Sequence, residues 1–436
     1  MSSLDDQFHS AALDDDLTAT LDARGLRAAR VGDDDQEGTH RWQDAVARGF
    51  LGGEPTEAQY TESFARNGYR RKIGVYDAAG VQTDVPVATF ASWGTELTLP
   101  GGSAVPMCAV SAVTVAPTHR RRGILSTLMR GELRTAVSLG FPIAGLTVSE
   151  SGIYGRFGFA PAVTATSWEI STRRTGWIGP VAPGRIDYIT REQGRDAATD
   201  LYERIRLATP GEITMPGGHW DRTFGTRADA EKADKLRVVQ YRSPAGEVEG
   251  VAVYSITEDD DDWAASTATV SRVVAGTDAA YAGLWRFLLT LDLVGTVRAS
   301  ELSVDEPLWW MIDNKRAARI TSRDHHYLRV LDVPATLAAR SYDVEDVIAL
   351  EVTDALGIAD GTFVLTAGET PGVDVVDDPP LGVPLVRLGV EELSAMLLGA
   401  VSPVTLARAG RVETDDPHRV ARVFAATTPP RLSFWY

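Results

Sequence analysis

One stretch of the sequence constrains the fold more than any other. Residues 113–159 read VTVAPTHRRRGILSTLMRGELRTAVSLGFPIAGLTVSESGIYGRFGF. Alternating apolar residues at its start predict a strand, and apolar residues spaced three and four apart then predict an amphipathic helix. A second apolar strand and a Tyr-bearing turn follow. The stretch therefore predicts a strand, a basic glycine turn, a helix and a strand, which is a helix layered on a sheet.

The helix predicted over 123–139 has one apolar face and defined ends. Gly140 suits a left-handed C-cap, and Pro142 prevents continuation of the helix. At the other end Gly123 has no Cβ, so an anion can approach the backbone closely. The apolar stripe consists of Ile124, Leu125, Leu128, Met129, Leu133, Ala136 and Val137.

Three arginines, Arg120–Arg122, directly precede Gly123. Backbone N–H groups from about Arg121 to Ser126 would converge on an anion there, and the helix dipole adds partial positive charge. Arginine side chains hold phosphate oxygens in a bidentate manner. The turn therefore predicts a site for a phosphorylated ligand, with a basic surface turn that binds nothing as the alternative.

The strand before this turn offers a second binding element. Val113 and Val115 alternate with Thr114, so the two valines share one face. If the strands on either side of the helix diverge, their unpaired N–H and C=O groups could hold an extended, amide-rich ligand. An ordinary core strand is the alternative.

The overall charge limits the partners. With 43 basic and 60 acidic residues, the formal net charge of −17 at pH 7 disfavours nucleic acid and anionic membranes and favours cationic small molecules or basic peptides. No apolar run approaches the roughly 20 residues that span a bilayer. The start, MSSLDDQFHS, has no secretion signal, and the single cysteine, Cys108, lies among apolar residues where we expect it to be buried. These features predict a cytoplasmic protein.

A chain of 436 residues should divide into two or three domains. Residues 1 to about 38 are polar and acid-rich, so we expect order to begin near His40, with a helix that breaks at Gly52-Gly53. We expect the acidic runs Asp14–Asp16, Asp33–Asp35 and Glu258–Asp262 in solvated loops. Strands of the first unit are predicted over 71–77, 85–93, 107–115 and 164–170.

A second α/β run follows a Gly- and Pro-rich loop over 175–184. Its element order resembles that of the first unit, as after a divergent duplication. Where the first unit has its arginines, the second has Ala275–Asp278, so we expect it to lack the phosphate loop. The predicted elements are helices near 191–207 and over 279–294, and strands over 236–242, 247–256 and 268–275.

A third section begins around Tyr327 and has the pattern of an α+β layer. Strands are predicted over 347–354 and 361–368. Helices are predicted over 389–399 and 416–426.

Two positions could carry proton transfer. Tyr154 follows the strand IAGLTV by a short glycine-containing turn, which places it at the carboxyl end of a strand, where ligands commonly bind. The last residues, LSFWY, are aromatic rather than polar, which argues that Tyr436 and its carboxylate are tucked into the protein. A carboxylate so placed has a raised pKa and can accept a proton. Packing is the alternative role for both residues.

Other candidates are weaker. Four aromatic residues could line a pocket for a cationic amine, with core packing as the alternative for each: Trp42, Phe50, Tyr60 and Phe64. His325-His326 have no carboxylate or cysteine at ligand spacing, so we expect no metal site.

The motif VAPTHRRRG together with SESGIYGRFGF resembles the Eis (enhanced intracellular survival) family of GNAT N-acetyltransferases, which act on aminoglycosides and lysines. The resemblance extends over nearly the whole chain. It implies an α+β fold with mixed sheets and flanking helices in tandem GNAT domains, at 1–172 and 173–326. The second domain lacks the pyrophosphate loop, and a sterol-carrier-protein-like domain follows at 327–436.

The resemblance also implies roles for individual residues. Tyr154 would be the general acid, and the terminal carboxylate of Tyr436 the general base. The sequence departs from the general GNAT loop at Leu125, where a small residue is usual, and from the Eis family at Tyr436, where Phe is usual; Ala112 leaves room beside the acetyl group. Contacts to the co-substrate acetyl-CoA would come from Val113, Val115, Arg120, Arg121, Gly123, Ile124 and Ser149.

The expected activity is acetyl transfer from acetyl-CoA, without a metal, to primary amines of polycationic acceptors such as aminoglycosides, polyamines or lysine side chains. The resemblance implies a homohexamer. The alternatives are a protein-specific lysine acetyltransferase and a non-catalytic sensor of acyl-CoA or lipid.

Overall fold

The structure is a computed structural model that describes residues 3–436, and it divides into two compact units. The first unit comprises residues 1–163, 325–428 and 435–436, and the second comprises residues 164–324 and 429–434. No helix in the described range is both long and apolar enough to cross a bilayer.

The first unit opens with helices packed on a sheet. The helices are α1 (Ser3–Ser10), α2 (Asp15–Asp22), α3 (Gln36–Gly49), α4 (Glu57–Arg66) and α5 (Ile124–Ser138). The strands are β1 (Leu26–Arg30), β2 (Arg71–Asp77), β3 (Ala88–Thr98), β4 (Ala104–Val115) and β5 (Ile143–Thr147). The strands lie side by side in chain order, antiparallel except for the parallel pair β4–β5. Helix α5 is the crossover that a parallel pair requires.

The prediction that order begins near His40 is wrong. Helices α1 and α2 bury Phe8, Leu17 and Leu21 completely, in the same core as α5 and the sheet. Leu17 and Leu21 lie four residues apart and so share one helix face, which outweighs the polar composition around them. Arg71, buried in an ion pair with Glu132 (3.2 Å), donates to the carbonyls that precede α2.

Two of the three acidic runs also cap α-helices, whereas the third, Glu258–Asp262, is exposed, as predicted. Asp14 caps α2 through the Leu17 N–H (2.8 Å) and pairs with Arg134 of α5 (Nε–Oδ2 2.9 Å). Asp35 caps α3 in the same manner through Gly38. Short acidic side chains before a helix accept the otherwise unpaired N–H groups of its first turn.

The second unit repeats the arrangement of the first. Its strands are β6 (Ala160–Ser171), β7 (Arg185–Ile189), β8 (Leu236–Arg242), β9 (Val248–Thr257), β10 (Ser266–Ala275), β11 (Val294–Leu302) and β12 (Ala318–Val330), of which β6 and β12 also contribute residues to the first unit. Its helices are α6 (Arg191–Ile205), α7 (Gly217–Phe224), α8 (Asp278–Leu289) and α9 (Leu308–Met311). The order β7-β8-β9-β10-β11-β6 is parallel only at β10–β11, which α8 connects.

The C-terminal section belongs to the first unit. Its helices are α10 (Val333–Ala338), α11 (Val390–Met396), α12 (Pro403–Arg408) and α13 (Pro417–Phe424). Its strands are β13 (Asp346–Thr353), β14 (Gly361–Ala367), β15 (Gly372–Val376), β16 (Leu385–Gly389) and β17 (Val412–Glu413), in the order β15-β14-β13-β16-β17. The fully buried Arg329 of β12 ties this section to the preceding sheet, because it pairs with Asp354 and donates to the Phe157 carbonyl (2.9 Å).

Candidate active site

Strands β4 and β5 pair along only part of β4. Their parallel pairing ends at Val110 with Leu146, one residue before β5 ends at Thr147, whereas β4 continues to Val115. Within β4 the register to β3 shifts around Ala112, whose φ of 48° lies in the left-handed region, as in a β-bulge. Among the described residues, the last part of β4 therefore has no strand partner on its β5 side, and we call the space beside it the cleft between β4 and β5. Val113 and Val115 are half-buried there, against the core.

The turn before α5 has the geometry of an anion site. Gly123 has a φ of 74°, Arg121 has a φ of 62°, and no side chain caps α5. Among the described residues, Thr127 is the first of the helix whose backbone N–H has a partner, the Gly123 carbonyl at 3.0 Å. The N–H groups of residues 124–126 are therefore available to a ligand. The Ile124 side chain is in the core, so only its backbone can face that ligand.

The three arginines of the turn differ in their surroundings. Arg122 lies 3.9 Å from the Asp77 carboxylate and packs on the α2–β1 connection. Arg120 and Arg121 are exposed and form no ion pair with any residue in the range 3–436. Within the described residues their charges are therefore uncompensated, which makes them available to phosphate groups.

The sequence analysis missed Arg24, which belongs to this site. Its Nη1 donates to the Arg122 carbonyl (2.7 Å), and a Cβ at Gly123 would clash with it. Arg24 lines a cavity of about 710 Å³ together with Gly123, Ser126, Thr127, Arg130 and Arg134. Because Arg24 precedes the turn by 98 residues, no local motif could have identified it. The one available signal was the helical spacing of the leucines in α2.

Tyr154 lies in the turn that follows β5, directly before the 3₁₀ turn Gly155–Phe157. Its half-buried ring packs on Phe159 (ring centroids 6.3 Å apart) and on the core. Among the described residues its hydroxyl has no hydrogen-bond partner, so the hydroxyl can donate to a ligand. Burial, with a smaller contribution from the charge of Glu150, raises the pKa of Tyr154 to about 12. Ser149, in the same connection, is exposed.

The aromatic chain end predicts burial of Phe434, Trp435 and Tyr436, which is confirmed for Phe434 and Tyr436 but is wrong for Trp435, whose side chain is 40% exposed. Tyr436 is 5% exposed, and its main-chain oxygen accepts a hydrogen bond from the Thr147 hydroxyl (2.6 Å) at the end of β5. The phenol lies 2.8 Å from His326 Nε2 and packs on Trp93. Burial raises the pKa of this phenol well above its usual range, so the phenol stays neutral. The ring contacts hold the residue, and its main-chain oxygen lies beside Thr147, the last residue of β5.

The four aromatic candidates for an amine pocket lie in different environments. Trp42 is in the core against Ala112, and its indole N–H donates to the Ile73 carbonyl (2.9 Å). Phe50 is 52% exposed, and Phe64 is half-buried. Tyr60 stacks on His40 and donates to the Asp44 carboxylate, which places an acidic group beside an aromatic face.

The remaining sequence candidates also have defined surroundings. Cys108 is buried, as predicted, and burial raises the pKa of its thiol well above the usual range. His326 contacts Tyr436. In the part of the chain that the structure describes, no group of three or more His, Cys, Asp or Glu residues is placed to hold a metal ion.

Comparison with known proteins identifies both halves of the repeat. Residues 34–162 match a model of an acetyltransferase (GNAT) domain, and residues 211–330 match a second GNAT acetyltransferase model. Residues 333–433 match a sterol carrier protein domain. The fold and the site thus define an acetyltransferase of the GNAT class, with two GNAT domains and a C-terminal sterol-carrier-like domain.

Relatives narrow this class. An uncharacterised N-acetyltransferase of Streptomyces avermitilis is 36% identical over 406 residues, covering 90% of this chain and 92% of the relative. The N-acetyltransferase Eis of Mycobacterium tuberculosis is 32% identical over 375 residues, covering 83% and 88%. The crystal structure of Eis1 from Mycobacterium abscessus superposes with a TM-score of 0.79 at 27% identity, covering 94% of this chain and 100% of that one. The chain belongs to the Eis family of GNAT N-acetyltransferases, which confirms the resemblance, the fold class and the enzyme class predicted from the sequence.

Proposed function

We propose that this N-acetyltransferase moves an acetyl group from acetyl-CoA to primary amines of polycationic acceptors, such as aminoglycosides, polyamines or lysine side chains. One observation carries the proposal: the main-chain oxygen of Tyr436 lies 2.6 Å from the Thr147 hydroxyl at the end of β5. The contact supports a role for the Tyr436 carboxyl group beside the end of β5, and the Tyr154 turn starts from the same strand end.

The chemistry of the cleft fits acetyl-CoA. Uncompensated Arg120 and Arg121, the free N–H groups after Gly123, and the nearby Arg24 suit the pyrophosphate. Beyond Val110, β4 has no strand partner on its β5 side, so Val113 and Val115 can offer backbone groups to the amides of the pantetheine arm. Ser149 lies in the connection on the opposite side of the cleft and completes the set of contacts that we propose.

The reaction requires three proton movements. We assign the proton of the substrate ammonium to the Tyr436 carboxylate, through water, so that the amine attacks as a neutral group and forms the C–N bond while the C–S bond breaks. We assign the proton on the departing sulfur to Tyr154, and the proton that the nitrogen loses as it becomes an amide passes through water to restore the Tyr154 phenol. A phenol with a pKa of about 12 stays protonated at every working pH. Because a thiol has a pKa of about 8.5, this donation is uphill and requires direct contact between hydroxyl and sulfur.

The charge of the chain supports a polycationic acceptor. A net charge of −17 attracts substrates with several amines. Asp44 and Tyr60 near the start of the first unit give one local example of a carboxylate beside an aromatic face, which suits an ammonium group. The sequence analysis also predicts a cytoplasmic homohexamer; the mass in solution, measured by light scattering, tests the assembly.

Blocking the terminal carboxylate tests the proposed base. A chain extended by two glycines after Tyr436, with its end verified by intact mass, should lose turnover by about 100-fold, as expected for loss of a general base. Acetyl-CoA should bind the extended chain with unchanged affinity. Unchanged turnover in the extended chain would show that this carboxylate is not the base.

An acceptor panel separates the candidate functions. Thiol release from acetyl-CoA is measured with kanamycin, spermidine and a lysine peptide. Turnover with kanamycin or spermidine supports the proposal. Turnover with the lysine peptide alone indicates a protein-specific lysine acetyltransferase. Acetyl-CoA binding without thiol release for any amine would contradict the proposal and favour a sensor.

A further inference from the structure

The segment that leads to Tyr436 is held by the second unit. Residues 429–434 belong to that unit. The backbone N–H and the hydroxyl of Ser433 both donate to Glu212 Oε2, at 3.1 Å each, and the Ser433 carbonyl accepts from the Arg272 guanidinium. Arg431 adds two bonds to main-chain carbonyls, from its N–H to Pro210 (2.8 Å) and from its Nε to Glu301 (3.1 Å).

Two buried charges make these contacts. Glu212 is 4% exposed and Arg272 is 8% exposed. Glu212 Oε2 also accepts from the Tyr202 hydroxyl (2.8 Å), so two of the three hydrogen bonds to this oxygen come from Ser433. A buried charge is costly unless it is paired and hydrogen-bonded. We call residues 429–436 the tail. Its hydrogen bonds offset a large part of the cost of burying these two charges, and the two charges in turn hold the tail in place.

The contacts lie in the second unit's counterpart of the cleft between β4 and β5. The pairing of β10 with β11 ends at Val270, just as that of β4 with β5 ends at Val110. The register of β10 to β9 shifts directly after Val270, and Arg272 follows this shift. Arg272 and the next residues of β10 line a cavity of about 130 Å³ together with Glu212 and Ser433. The second unit thus holds a protein segment where the first has its cleft.

We propose that Glu212 and Arg272 are positioning residues, which hold Ser433 and thereby limit where the carboxylate of Tyr436 can move. Tyr436 is three positions after Ser433, and three residues span at most about 10 Å. Fixing Ser433 therefore restricts where the carboxylate can move. The inference rests on the proposed role of that carboxylate as the base.

Arg272→Met is the main test, with Glu306→Gln as the matched control. Glu306 is also buried and lines the same cavity, but it bonds to Tyr281 (2.5 Å) and to the Ser303 N–H (2.9 Å) rather than to the tail. Arg272→Met should lower kcat by about tenfold with little change in the acetyl-CoA Kd, as expected when only the transition state loses an interaction. Ser433→Ala removes one hydroxyl and should lower kcat by about threefold, which keeps the test available if Arg272→Met does not fold.

Two further readouts distinguish positioning from simple destabilisation. Carboxypeptidase should release Tyr436 and Trp435 about tenfold faster from Arg272→Met than from Glu306→Gln, because local opening exposes the end. In the chain extended by two glycines after Tyr436, which already lacks the base, Arg272→Met should cause no further loss of kcat. Equal release from both variants, or the same loss of kcat in the extended chain, overturns the inference. The turnover of the extended chain by itself tests the proposed base, so the two failures are distinguishable.

Discussion

The two GNAT domains have the same sheet order, the same parallel pair and the same divergence of strands, yet their helix-opening turns are built differently. In the first domain α5 starts at Gly123, which offers no side chain to its own N–H groups. In the second, the Thr277 hydroxyl caps α8 by accepting a hydrogen bond from the Ala280 N–H (3.2 Å), and it donates one to the Glu249 carboxylate (2.9 Å). The N-terminus of α8 thus has a side-chain cap and carboxylates nearby. The N–H groups that begin α5 have no such cap and remain available to a ligand.

This comparison indicates that the phosphate site we propose for the first domain depends on few features of the scaffold. Both domains have a helix dipole and a strand divergence, so these features are not sufficient. A free first turn and uncompensated cations are what the first domain adds. A shared fold therefore does not imply a shared ligand.

The largest expected effect comes from giving the first turn the character of the second. The combined change Arg120→Ala, Arg121→Ala and Gly123→Thr removes two cations and places a capping hydroxyl at a left-handed position. We expect the acetyl-CoA Kd to rise by about 1000-fold, since each charge-assisted contact contributes about 1.5–3 kcal/mol. Calorimetry measures it. Thr277→Gly in the second domain is the matched control and should leave the acetyl-CoA Kd unchanged. A comparable loss of affinity in this control would contradict the assignment of acetyl-CoA binding to the first domain.

Tyr154 sharpens the comparison at the other end of the cleft. After β11 the second domain continues as SVDEP, without a tyrosine. Tyr154→Phe should lower kcat by about 100-fold, in the range of general acid catalysis, while the acetyl-CoA Kd stays within about twofold. Stopped-flow or steady-state thiol release measures the rate. A kcat equal to that of the unchanged enzyme would exclude Tyr154 as the acid.

The pH profile tests the state of the same phenol. Because burial raises the pKa of Tyr154 to about 12, the group stays protonated through the alkaline range. The rate should therefore rise as the acceptor amine loses its proton and should show no loss from deprotonation of Tyr154 up to about pH 10. Tyr154→Phe should keep the shape of this profile at a lower rate. An alkaline decline near pH 9 that is absent from Tyr154→Phe would contradict the assignment.

The smallest expected effect is a change in stability from a substitution at α2, the helix that precedes the first strand of the first domain. The second domain has no counterpart of this helix, because the described residues 164–185 contain no α-helix before β7. Asp14→Ala removes the cap and the contact with Arg134 and should lower the free energy of unfolding by about 1 kcal/mol. The hydrogen bond from Arg134 lowers the pKa of Asp14, so its contribution is present at neutral pH and is lost as the pH falls below about 4.

Denaturant unfolding at pH 7 and pH 3 measures the effect of Asp14→Ala. Asp16→Ala is its control, because that side chain is 85% exposed and caps nothing, and it lies 3.8 Å from Arg134. The loss of unfolding free energy caused by Asp14→Ala should be smaller at pH 3 than at pH 7. An equal loss at both pH values would show that the charge of Asp14 does not contribute to stability.

The sequence was most informative where a local pattern determines local structure. The prediction of 71–77 and 236–242 as strands is confirmed to the residue, and α5 differs from its predicted start by one residue. The Gly-Arg turn could be interpreted because backbone freedom and charge are both visible in adjacent residues.

Long-range features could not be predicted in this way. No periodicity links Arg24 to Gly123, or Glu212 to Ser433, because these contacts depend on the tertiary arrangement. The acid-rich composition of residues 1–38 led to the wrong prediction that order begins near His40, although Phe8 and Leu17 are buried. Composition averages over the polar and apolar faces of a helix and so does not show an apolar face. The buried chain end was the exception, because an aromatic terminus is unusual enough to carry information by itself.

The contact between Arg24 and the Gly123 turn has a consequence for processing of the chain. A protease that cut between α2 and α3 would leave the strands from β2 to β5 intact but would detach a cation from the edge of the phosphate site. Such a clipped enzyme would still bind acetyl-CoA, only more weakly, and could be mistaken for a natural low-affinity form. Preparations compared for cofactor affinity should therefore be matched at the N-terminus by mass before any difference is assigned to the active site.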